Sequence, residues 1–293
     1  MRPSVLAAVA VLSVLPFGTA CAQPAPSSWS VGMPVKIPTG GVKIDGMYFR
    51  APGATAHPVL IYLHGLPGFT GDLDLPLPLS HAGWNVLTLH YRGSWGSPGD
   101  YSYAHQVEDA TAAIDFVRDP ANARTYSIDP RRIALAGHST GGMIAMMTAA
   151  GTARLAGLVL ISASDDAAEA ANQYKDGSAR GALNQMAFTQ CAAPLSGCTN
   201  QGLDLELLNH ASSWTFAALA PKLTKLSILM VTCNDPYAPE NDALENALVS
   251  HGAAPPVRVR LNTGHANSDQ RPALASAVID WLQKLTQSPT GVK

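Results

Sequence analysis

Short apolar runs alternate with helix-like stretches along most of the sequence, and this alternation constrains the fold more than any other feature. Runs rich in Val, Ile and Leu predict buried strands at residues 58–64, 84–91, 131–137, 155–162, 226–232 and 257–261. Intervening or following stretches predict helices at residues 105–118, 141–150, 239–251 and 272–285. Strands that are apolar on both faces need cover on both faces, and crossover helices make them parallel. We therefore expect an α/β fold with a mostly parallel central sheet and helices on both faces.

Residues 165–221 interrupt the alternation, because they contain no convincing strand and separate two strong strand patterns. We interpret them as a short helical, cap-like insertion over the edge of the sheet where α/β folds form ligand pockets. The alternative is a structural layer that contacts no ligand. Residues 72–79 stand where a further helix belongs, but Pro76 and Pro78 predict that it is short or irregular.

The charge of the chain is nearly balanced, with 19 Lys and Arg against 21 Asp and Glu. Binding to nucleic acid needs a clustered excess of cations, so the sequence predicts no such partner. A hydrophobic content of 47% with 14% charged residues supplies a large core and argues against a disordered chain.

Residues 1–22 have the pattern of a secretory signal, with a basic start, an apolar run over 5–17 and small residues around Cys21. The apolar run is shorter than the roughly 20 residues of a membrane span, so we predict no span. We predict cleavage near Ala22 and export to the periplasm or the medium; the alternative is a lipoprotein anchored through Cys21. The remaining chain divides into an N-terminal leader at 23–41, a main domain at 42–286 that contains the insertion, and a C-terminal tail at 287–293.

Two cysteines, Cys191 and Cys198, flank a loop-like stretch within the insertion. An oxidising compartment favours pairing, so we predict a disulfide bond between them, with two free thiols as the alternative. Cys233 ends an apolar run and is predicted to be a buried thiol.

The segment Gly137-His138-Ser139-Thr140-Gly141 follows a predicted strand directly and opens a predicted helix. This is the context of the Gly-x-Ser-x-Gly nucleophile turn, in which a sharp, strained backbone projects the serine hydroxyl. Glycines two positions on either side remove side chains that would clash in the turn. The sequence therefore predicts Ser139 as a nucleophile and the Thr140 amide, at the helix N-terminus, as an oxyanion donor.

This turn and its surroundings resemble the α/β-hydrolase fold family, and the resemblance extends from about residue 42 to residue 285. Two segments are similar to its prolyl oligopeptidase and dienelactone hydrolase branches: IDPRRI at 128–133 and YRGSWGS at 91–97. The resemblance implies an α/β-hydrolase fold with serine, acid and histidine in that order, the last two each in a loop after a strand.

A serine needs a base to take its proton, and the base needs a third group to hold its tautomer. The resemblance implies His265, after the last predicted strand, as the base. It implies Asp235, with Pro239 four positions on, as the acid. Asp242 is the runner-up for the acid, and Asp269 is a candidate for a supporting or surface charge.

The segment His64-Gly65-Leu66-Pro67-Gly68 resembles the family's His-Gly turn, which implies the backbone N–H of Leu66 as the second oxyanion donor. Pro67 has no N–H and cannot donate. We expect His64 to brace the turn rather than transfer protons.

Four side chains are candidates for the walls of a pocket: Trp95, Tyr103, Tyr237 and Arg92. Trp95 and Tyr103 belong to an aromatic, glycine-rich loop after a strand, and Arg92 is a candidate partner for a substrate carboxylate. The alternatives are that Arg92 pairs with a structural aspartate and that the aromatic rings, Tyr237 included, pack in the core.

These features predict an exported serine hydrolase that cleaves small or medium carboxylic esters through an acyl-enzyme. A serine peptidase or amidase acting on short acyl-amides or peptides is the nearer alternative. A non-catalytic binding protein and an acyltransferase on the same fold are further ones. We expect no metal or other cofactor, because the sequence has no His-Glu-x-x-His, no Cys-x-x-Cys and no phosphate-binding glycine loop with its lysine.

Overall fold

The computed structural model describes residues 32–68, 74–173 and 194–287. Eight strands form one sheet in the order β1-β2-β4-β3-β5-β6-β7-β8. The strands are β1 Gly32–Thr39, β2 Val42–Phe49, β3 His57–Leu63, β4 Asn85–Leu89, β5 Ile128–His138, β6 Gly157–Ile161, β7 Ile228–Thr232 and β8 Val257–Arg260. All pairs from β4 to β8 are parallel, and β1 and β2 are antiparallel to their neighbours. The predicted α/β class and the six predicted strands are therefore confirmed, with shifted ends.

The first strand was not predicted, and it lies in the segment assigned to the N-terminal leader. It pairs with β2 along its whole length, from Gly32 opposite Phe49 to Thr39 opposite Val42. Gly40 and Gly41 both have positive φ angles, of 51° and 80°, which a two-residue hairpin turn requires. The sheet thus begins ahead of residue 42, the predicted start of the main domain.

Helices cover both faces of the sheet. They are α1 Pro76–His81, α2 Tyr103–Arg118, α3 Pro120–Thr125, α4 Thr140–Gly151, α5 Asp166–Gln173, α6 Asn200–Trp214, α7 Phe216–Leu219, α8 Ala238–Ser250 and α9 Arg271–Gln287. The four predicted helices are present, and α1 is short, as its prolines predict. In the described part of the insertion, α5, α6 and α7 confirm the helical interpretation.

Two hydrophobic cores form on the two faces of the sheet. One contains side chains of α2, α4 and α8, such as Ile114, Met143 and Leu248. The other contains side chains of α1 and α9, such as Leu79 and Val278. Because both faces are covered, every residue of β4, β6 and β7 is buried, as their continuous apolar runs predict.

Several predictions fall on residues 1–31, 174–193 and 288–293, which lie outside the described residues. These are the signal peptide, the Cys21 anchor, the first nine residues of the leader, Cys191 and most of the C-terminal tail. Cys198 is a free thiol in the structure, so the bridge to Cys191 is not supported and stays a prediction. Among the helices of the described ranges, none has the length and apolarity needed to cross a membrane.

Candidate active site

A sharp turn joins β5 to α4 and presents Ser139 at the carboxyl end of the sheet. Ser139 has φ 57° and ψ −131°, a strained conformation for a residue with a side chain. The glycines on either side are required by close packing. A Cβ on Gly137 would lie 2.0 Å from the carbonyl oxygen of Gly141, and one on Gly141 would lie 2.2 Å from that of Leu63. The turn therefore tolerates no larger residue at these two positions.

Ser139, His265 and Asp235 form a continuous hydrogen-bonded chain. The Nδ1 atom of His265 lies 2.8 Å from Oδ2 of Asp235, and its Nε2 atom lies 2.9 Å from Oγ of Ser139. A carboxylate only accepts hydrogen bonds, so Nδ1 carries the proton and Nε2 of a neutral ring accepts from the serine hydroxyl. The three residues come from loops after β5, β7 and β8, which run parallel and therefore end at the same edge of the sheet. The arrangement is competent to take a proton from the serine.

The Asp235 side chain is only 2% exposed, and its carboxylate has three donors. Besides His265, the thiol of Cys233 donates to Oδ2 at 3.0 Å and the backbone N–H of Tyr237 donates to Oδ1 at 3.2 Å. Burial alone raises the pKa of this carboxyl, but the hydrogen bonds from His265 and Cys233 outweigh it and lower the pKa below its usual value. Asp235 is therefore ionised at neutral pH.

Cys233 is fully buried, as predicted, but its contact with the acid was not foreseen. Its Sγ atom also lies 3.1 Å from Oγ of Ser162. Burial raises the pKa of the thiol to about 11, so it remains protonated and able to donate. Cys233, Asp235 and His265 offer ligand atoms within 4.8 Å of one another, a spacing that a metal ion can use. The hydrogen bonds among these atoms account for the same cluster without an ion.

Neither Asp242, the runner-up for the acid, nor Asp269, the candidate for a supporting or surface charge, reaches His265. Asp242 accepts from Arg258 at 2.6 Å on the outer side of α8. Asp269 accepts from the Thr263 hydroxyl within the loop after β8. Both carboxylates are committed to local contacts, so the structure brings Asp235 alone of the three candidates to the imidazole.

The backbone around His265 is held by two side chains that the sequence analysis did not assign to the site. His138 Nε2 and Asn267 Nδ2 both donate to the His265 carbonyl oxygen, at 3.0 Å each. The rings of His138 and His265 have centroids 4.8 Å apart. His138, the residue before the nucleophile, thus helps to position the loop that carries the base.

The turn after β3 passes close to the nucleophile. A Cβ on Gly65 would lie 2.9 Å from Cβ of Ser139, so the half-buried Leu66 follows at the edge of the reaction centre. Nδ1 of His64 donates to the Gly65 carbonyl at 2.8 Å, so His64 contacts its own turn. Thr140 is the first residue of α4, and the first amides of a helix have no partner within it. Both candidate oxyanion donors are thus adjacent to Ser139.

Two of the four candidate pocket residues border the site. The Tyr237 ring centroid lies 4.8 Å from that of His265. Trp95 is 36% exposed, and its indole Nε1 donates to the carbonyl of Pro67 at 2.7 Å. Trp95 therefore supports the turn that carries Leu66 and leaves part of its ring accessible.

The other two candidates do not line a pocket, which corrects the prediction. Arg92 is buried, and its Nε and backbone N–H both donate to Asp109 at 2.7 Å, while a terminal nitrogen pairs with Glu108. Two carboxylates therefore already neutralise this guanidinium. Tyr103 begins α2 and is fully buried in the core, because it packs beneath the insertion.

Acidic side chains of α5 and α8 gather on the far side of Tyr237, and the sequence analysis did not foresee this. The Glu240 carboxylate accepts from the Asp165 amide at 2.7 Å and shares a hydrogen bond with Glu169. Two carboxyl groups can bond each other only through a proton. Burial, followed by the neighbouring acids Glu169 and Asp165, raises the pKa of Glu240 to about 8. The insertion is therefore fastened to α8 beside His265.

Comparisons with known proteins agree with this fold. The BD-FAE family model matches residues 46–175. The chain is 32% identical over 130 residues to the uncharacterized protein Rv2307c of Mycobacterium tuberculosis. The aligned segment covers 43% of this chain and 44% of that protein. It is 34% identical over 77 residues to the lysophosphatidylserine lipase ABHD12 of Gallus gallus, or 25% and 20% of the two chains. The chain thus spans less than half of the length of these relatives.

Solved structures give a match over most of the chain. An esterase of Pyrobaculum calidifontis superposes with a TM-score of 0.65 at 20% identity, over 88% of this chain and 87% of that one. Carboxyl esterase 2 of Tuber melanosporum superposes with a TM-score of 0.67 at 17% identity, over 91% of this chain and 89% of that one. The chain therefore has the α/β-hydrolase fold of these esterases, which confirms the resemblance at the level of the fold. Its place in the prolyl oligopeptidase or dienelactone hydrolase branch stays a prediction.

Proposed function

We propose that the protein is a serine hydrolase that cleaves carboxylic esters through an acyl-enzyme intermediate. The observation that carries the proposal is the chain of hydrogen bonds from Ser139 through His265 to Asp235, at 2.9 and 2.8 Å. Its serine stands on a strained turn at a helix N-terminus, where hydroxyl and amide groups face the same space.

In the proposed reaction, Oγ of Ser139 attacks the carbonyl carbon while Nε2 of His265 takes the hydroxyl proton. The backbone N–H groups of Leu66 and Thr140 stabilise the oxyanion that forms. His265 then gives its proton to the departing alkoxide, which leaves an acyl group on Ser139. A water molecule, activated by the same imidazole, releases the carboxylate and restores the serine. Asp235 holds the ring tautomer and balances the imidazolium charge.

Esters are proposed as the substrates because the relatives whose names state an activity are esterases and a lipase. Tyr237 and the accessible part of Trp95 provide aromatic walls for a small or medium acyl or alcohol group. A peptidase or amidase uses the same steps with an amine as leaving group, and an acyltransferase replaces water by an alcohol.

The test combines an activity-based probe with a substrate panel. A fluorophosphonate should label the wild-type protein on Ser139, whereas the Ser139→Ala variant should take no label. Ser268→Ala, an exposed serine in the loop after β8, is the matched control and should label normally. Unlabelled but folded wild-type protein would make a non-catalytic binding protein the better account.

The panel contains p-nitrophenyl esters of increasing acyl length beside aminoacyl and dipeptidyl anilides. We expect turnover of the esters that is lost in Ser139→Ala. Turnover of the anilides alone would replace the esterase by a peptidase. Product analysis with added alcohol separates hydrolysis from acyl transfer.

We also propose that the protein is exported, on the strength of the signal pattern at residues 1–22. The mass of the protein recovered from its native host distinguishes the options. A chain that begins at Gln23 supports cleavage near Ala22, and a chain that begins at a lipid-modified Cys21 supports the anchored form. A full-length N-terminus on cytoplasmic protein would contradict export. Alkylation of this exported form before and after reduction tests the bridge between Cys191 and Cys198.

A further inference from the structure

A groove lies at the edge of the sheet opposite to Ser139, where the parallel strands β5 to β8 begin. Its volume is about 1230 Å³. Five cationic side chains from separate parts of the chain line it: Arg118, Arg131, Arg154, Lys225 and Lys284. We call it the basic groove. Arg131 and Ser139 lie near opposite ends of β5, so the groove is about 25 Å from the nucleophile at roughly 3.3 Å per strand residue.

Most of the positive charge in the basic groove has no carboxylate partner. No Asp or Glu is among the described residues that line it. Arg131 pairs with Asp129 at 3.1 Å, whereas Arg118 donates to a carbonyl, that of Ala153, at 2.7 Å. The remaining three side chains form no ion pair with any described residue: Arg154, Lys225 and Lys284. This concentration of cations contrasts with the net charge of −2 of the whole chain.

The rest of the groove is apolar. Its lining includes Leu155, Leu226, Trp281 and Leu285, together with Val257 on the edge strand β8. Val257 is 51% exposed, although a β-branched residue on a strand normally faces a core. Cations thus surround an accessible hydrocarbon surface, and a ligand that satisfies both must itself have a charged and an apolar part.

We propose that the basic groove binds a single-chain amphiphile with an anionic headgroup, such as an alkyl carboxylate or alkyl phosphate. An inorganic anion would leave the apolar surface in water, and a neutral lipid would leave the cations without a counter-charge. The occupant is one free molecule rather than a bilayer, because the site is concave and its volume of about 1230 Å³ is only somewhat above the roughly 300–1,000 Å³ of ordinary small-molecule pockets. The guanidinium of Arg118, held by the Ala153 carbonyl, is placed to receive the headgroup.

Binding is measured by calorimetry on the full chain carrying Ser139→Ala, so that the result is independent of catalysis. The probe is dodecanoate below the concentration at which it forms micelles. Lys225→Glu with Lys284→Glu reverses two charges in the groove. Lys222→Glu with Lys43→Glu reverses two exposed lysines outside it and is the matched control. We expect the groove variant to lose at least tenfold in affinity and the control to stay within twofold.

Three further ligands separate the sources of binding. Dodecyl maltoside removes the charge, inorganic phosphate removes the chain, and vesicles containing anionic lipid present the headgroup on a bilayer. Weak binding of all three beside tight dodecanoate binding supports the proposal. Equal affinity for dodecyl maltoside, binding of phosphate alone or of vesicles alone, or an unaffected groove variant would each overturn it. Thermal unfolding of every variant checks that the proteins compared are folded. Val257→Thr, which makes the apolar surface of the groove more polar, should weaken dodecanoate binding without lowering the melting temperature.

Discussion

Replacing Asp235 with asparagine tests the site with the smallest change of shape. The native carboxylate accepts from His265 at 2.8 Å, from the Cys233 thiol at 3.0 Å and from the Tyr237 amide at 3.2 Å. An asparagine side chain keeps the size but turns one oxygen into an NH₂ group. If its oxygen stays on the Tyr237 amide, the NH₂ group faces Nδ1 of His265. That nitrogen must then accept, which moves the ring proton to Nε2.

The magnitude follows from the tautomer. With the proton on Nε2, the imidazole donates toward Ser139 and cannot take the serine proton. The same substitution in a well-characterised triad lowers kcat by about 10⁴, or roughly 5.4 kcal/mol in the barrier at 1.36 kcal/mol per tenfold. KM should change little, because Asp235 is buried behind the histidine and does not contact substrate. The assay is hydrolysis of a short p-nitrophenyl ester at neutral pH, with thermal unfolding as the check on folding.

Two matched substitutions decide whether the acid has been chosen correctly. Asp242→Asn removes the same charge from the runner-up for the acid, and Asp269→Asn removes it from the candidate supporting charge. Each should leave kcat within about threefold, because ordinary surface changes have small effects. A loss of less than tenfold in Asp235→Asn, or an equal loss in Asp242→Asn, would refute the reasoning. The lowered pKa of Asp235 adds a stability test. The ionised carboxylate contributes to the free energy of unfolding above about pH 4, the usual pKa of a free aspartic acid. This contribution is lost as pH falls through the lower pKa that the carboxyl has in the folded protein.

Three further predictions concern positions around the site. Gly65→Ala places a Cβ 2.9 Å from Cβ of Ser139, so kcat/KM on esters should fall by about 10²-fold with only a small change in melting temperature; unchanged activity would contradict it. Asp109→Asn breaks the buried pair with Arg92, so the free energy of unfolding in urea should fall by about 3–5 kcal/mol while the folded enzyme keeps its kcat. A loss of kcat at unchanged stability would instead indicate that Arg92 contacts the substrate. Glu240→Gln removes a carboxyl whose pKa is raised to about 8. We expect the melting temperature of the wild type to fall as pH rises from 5 to 9, and to fall less in this variant; an equal fall in both proteins would contradict the prediction.

Each of these has a control within the chain. Gly151→Ala adds a Cβ that meets nothing within 4 Å, so it should leave ester hydrolysis unaltered. Asp115→Asn removes an exposed acid from the same helix as Asp109 and should leave urea unfolding unaltered. Glu245→Gln removes an acid from α8 that pairs with Arg258, and it should not flatten the pH dependence. For Glu240 the sign follows from the raised pKa. An acid whose pKa is higher in the folded chain stabilises the folded state fully below its pKa in the unfolded chain. This stabilisation is lost as pH rises through its pKa in the folded chain.

The features that were predicted from the sequence are those with a local signature. A strand buried on both faces is a continuous apolar run, so β3 to β8 were located within a few residues. The strained serine turn needs glycines at fixed offsets, so Gly137 and Gly141 mark it. His265 and Asp235 were assigned through the resemblance, which places the base and the acid in loops after strands, and parallel strands bring such loops to one edge of the sheet. The β1–β2 hairpin also had a signal, the Gly40-Gly41 pair between alternating residues, which was not used.

The features that were missed depend on pairs distant in sequence. Arg92 has the residue type and loop position of a substrate contact, and only the position of α2 in the folded chain brings Asp109 to it. Tyr103 is amphipathic and suits a pocket wall or a core equally well. The hydrogen bond between Glu169 and Glu240 joins helix α5 of the insertion to helix α8, about 70 residues further along the chain. No spacing rule connects such positions, because tertiary contacts decide them.

The start of the insertion contacts the turn that carries the nucleophile. The Ser139 N–H donates to the Ile161 carbonyl at 3.0 Å, and the Ser164 N–H donates to the Ser139 carbonyl at 3.3 Å. The strained residue is therefore held by β6 on one side and by the first residues after β6 on the other. Helix α5 begins two residues after Ser164, and Asp166 hydrogen-bonds the Thr140 side chain beside the oxyanion donor. The start of the insertion therefore packs against the nucleophile turn, and its interpretation as a cap over a ligand pocket, rather than a layer that contacts no ligand, stays a prediction.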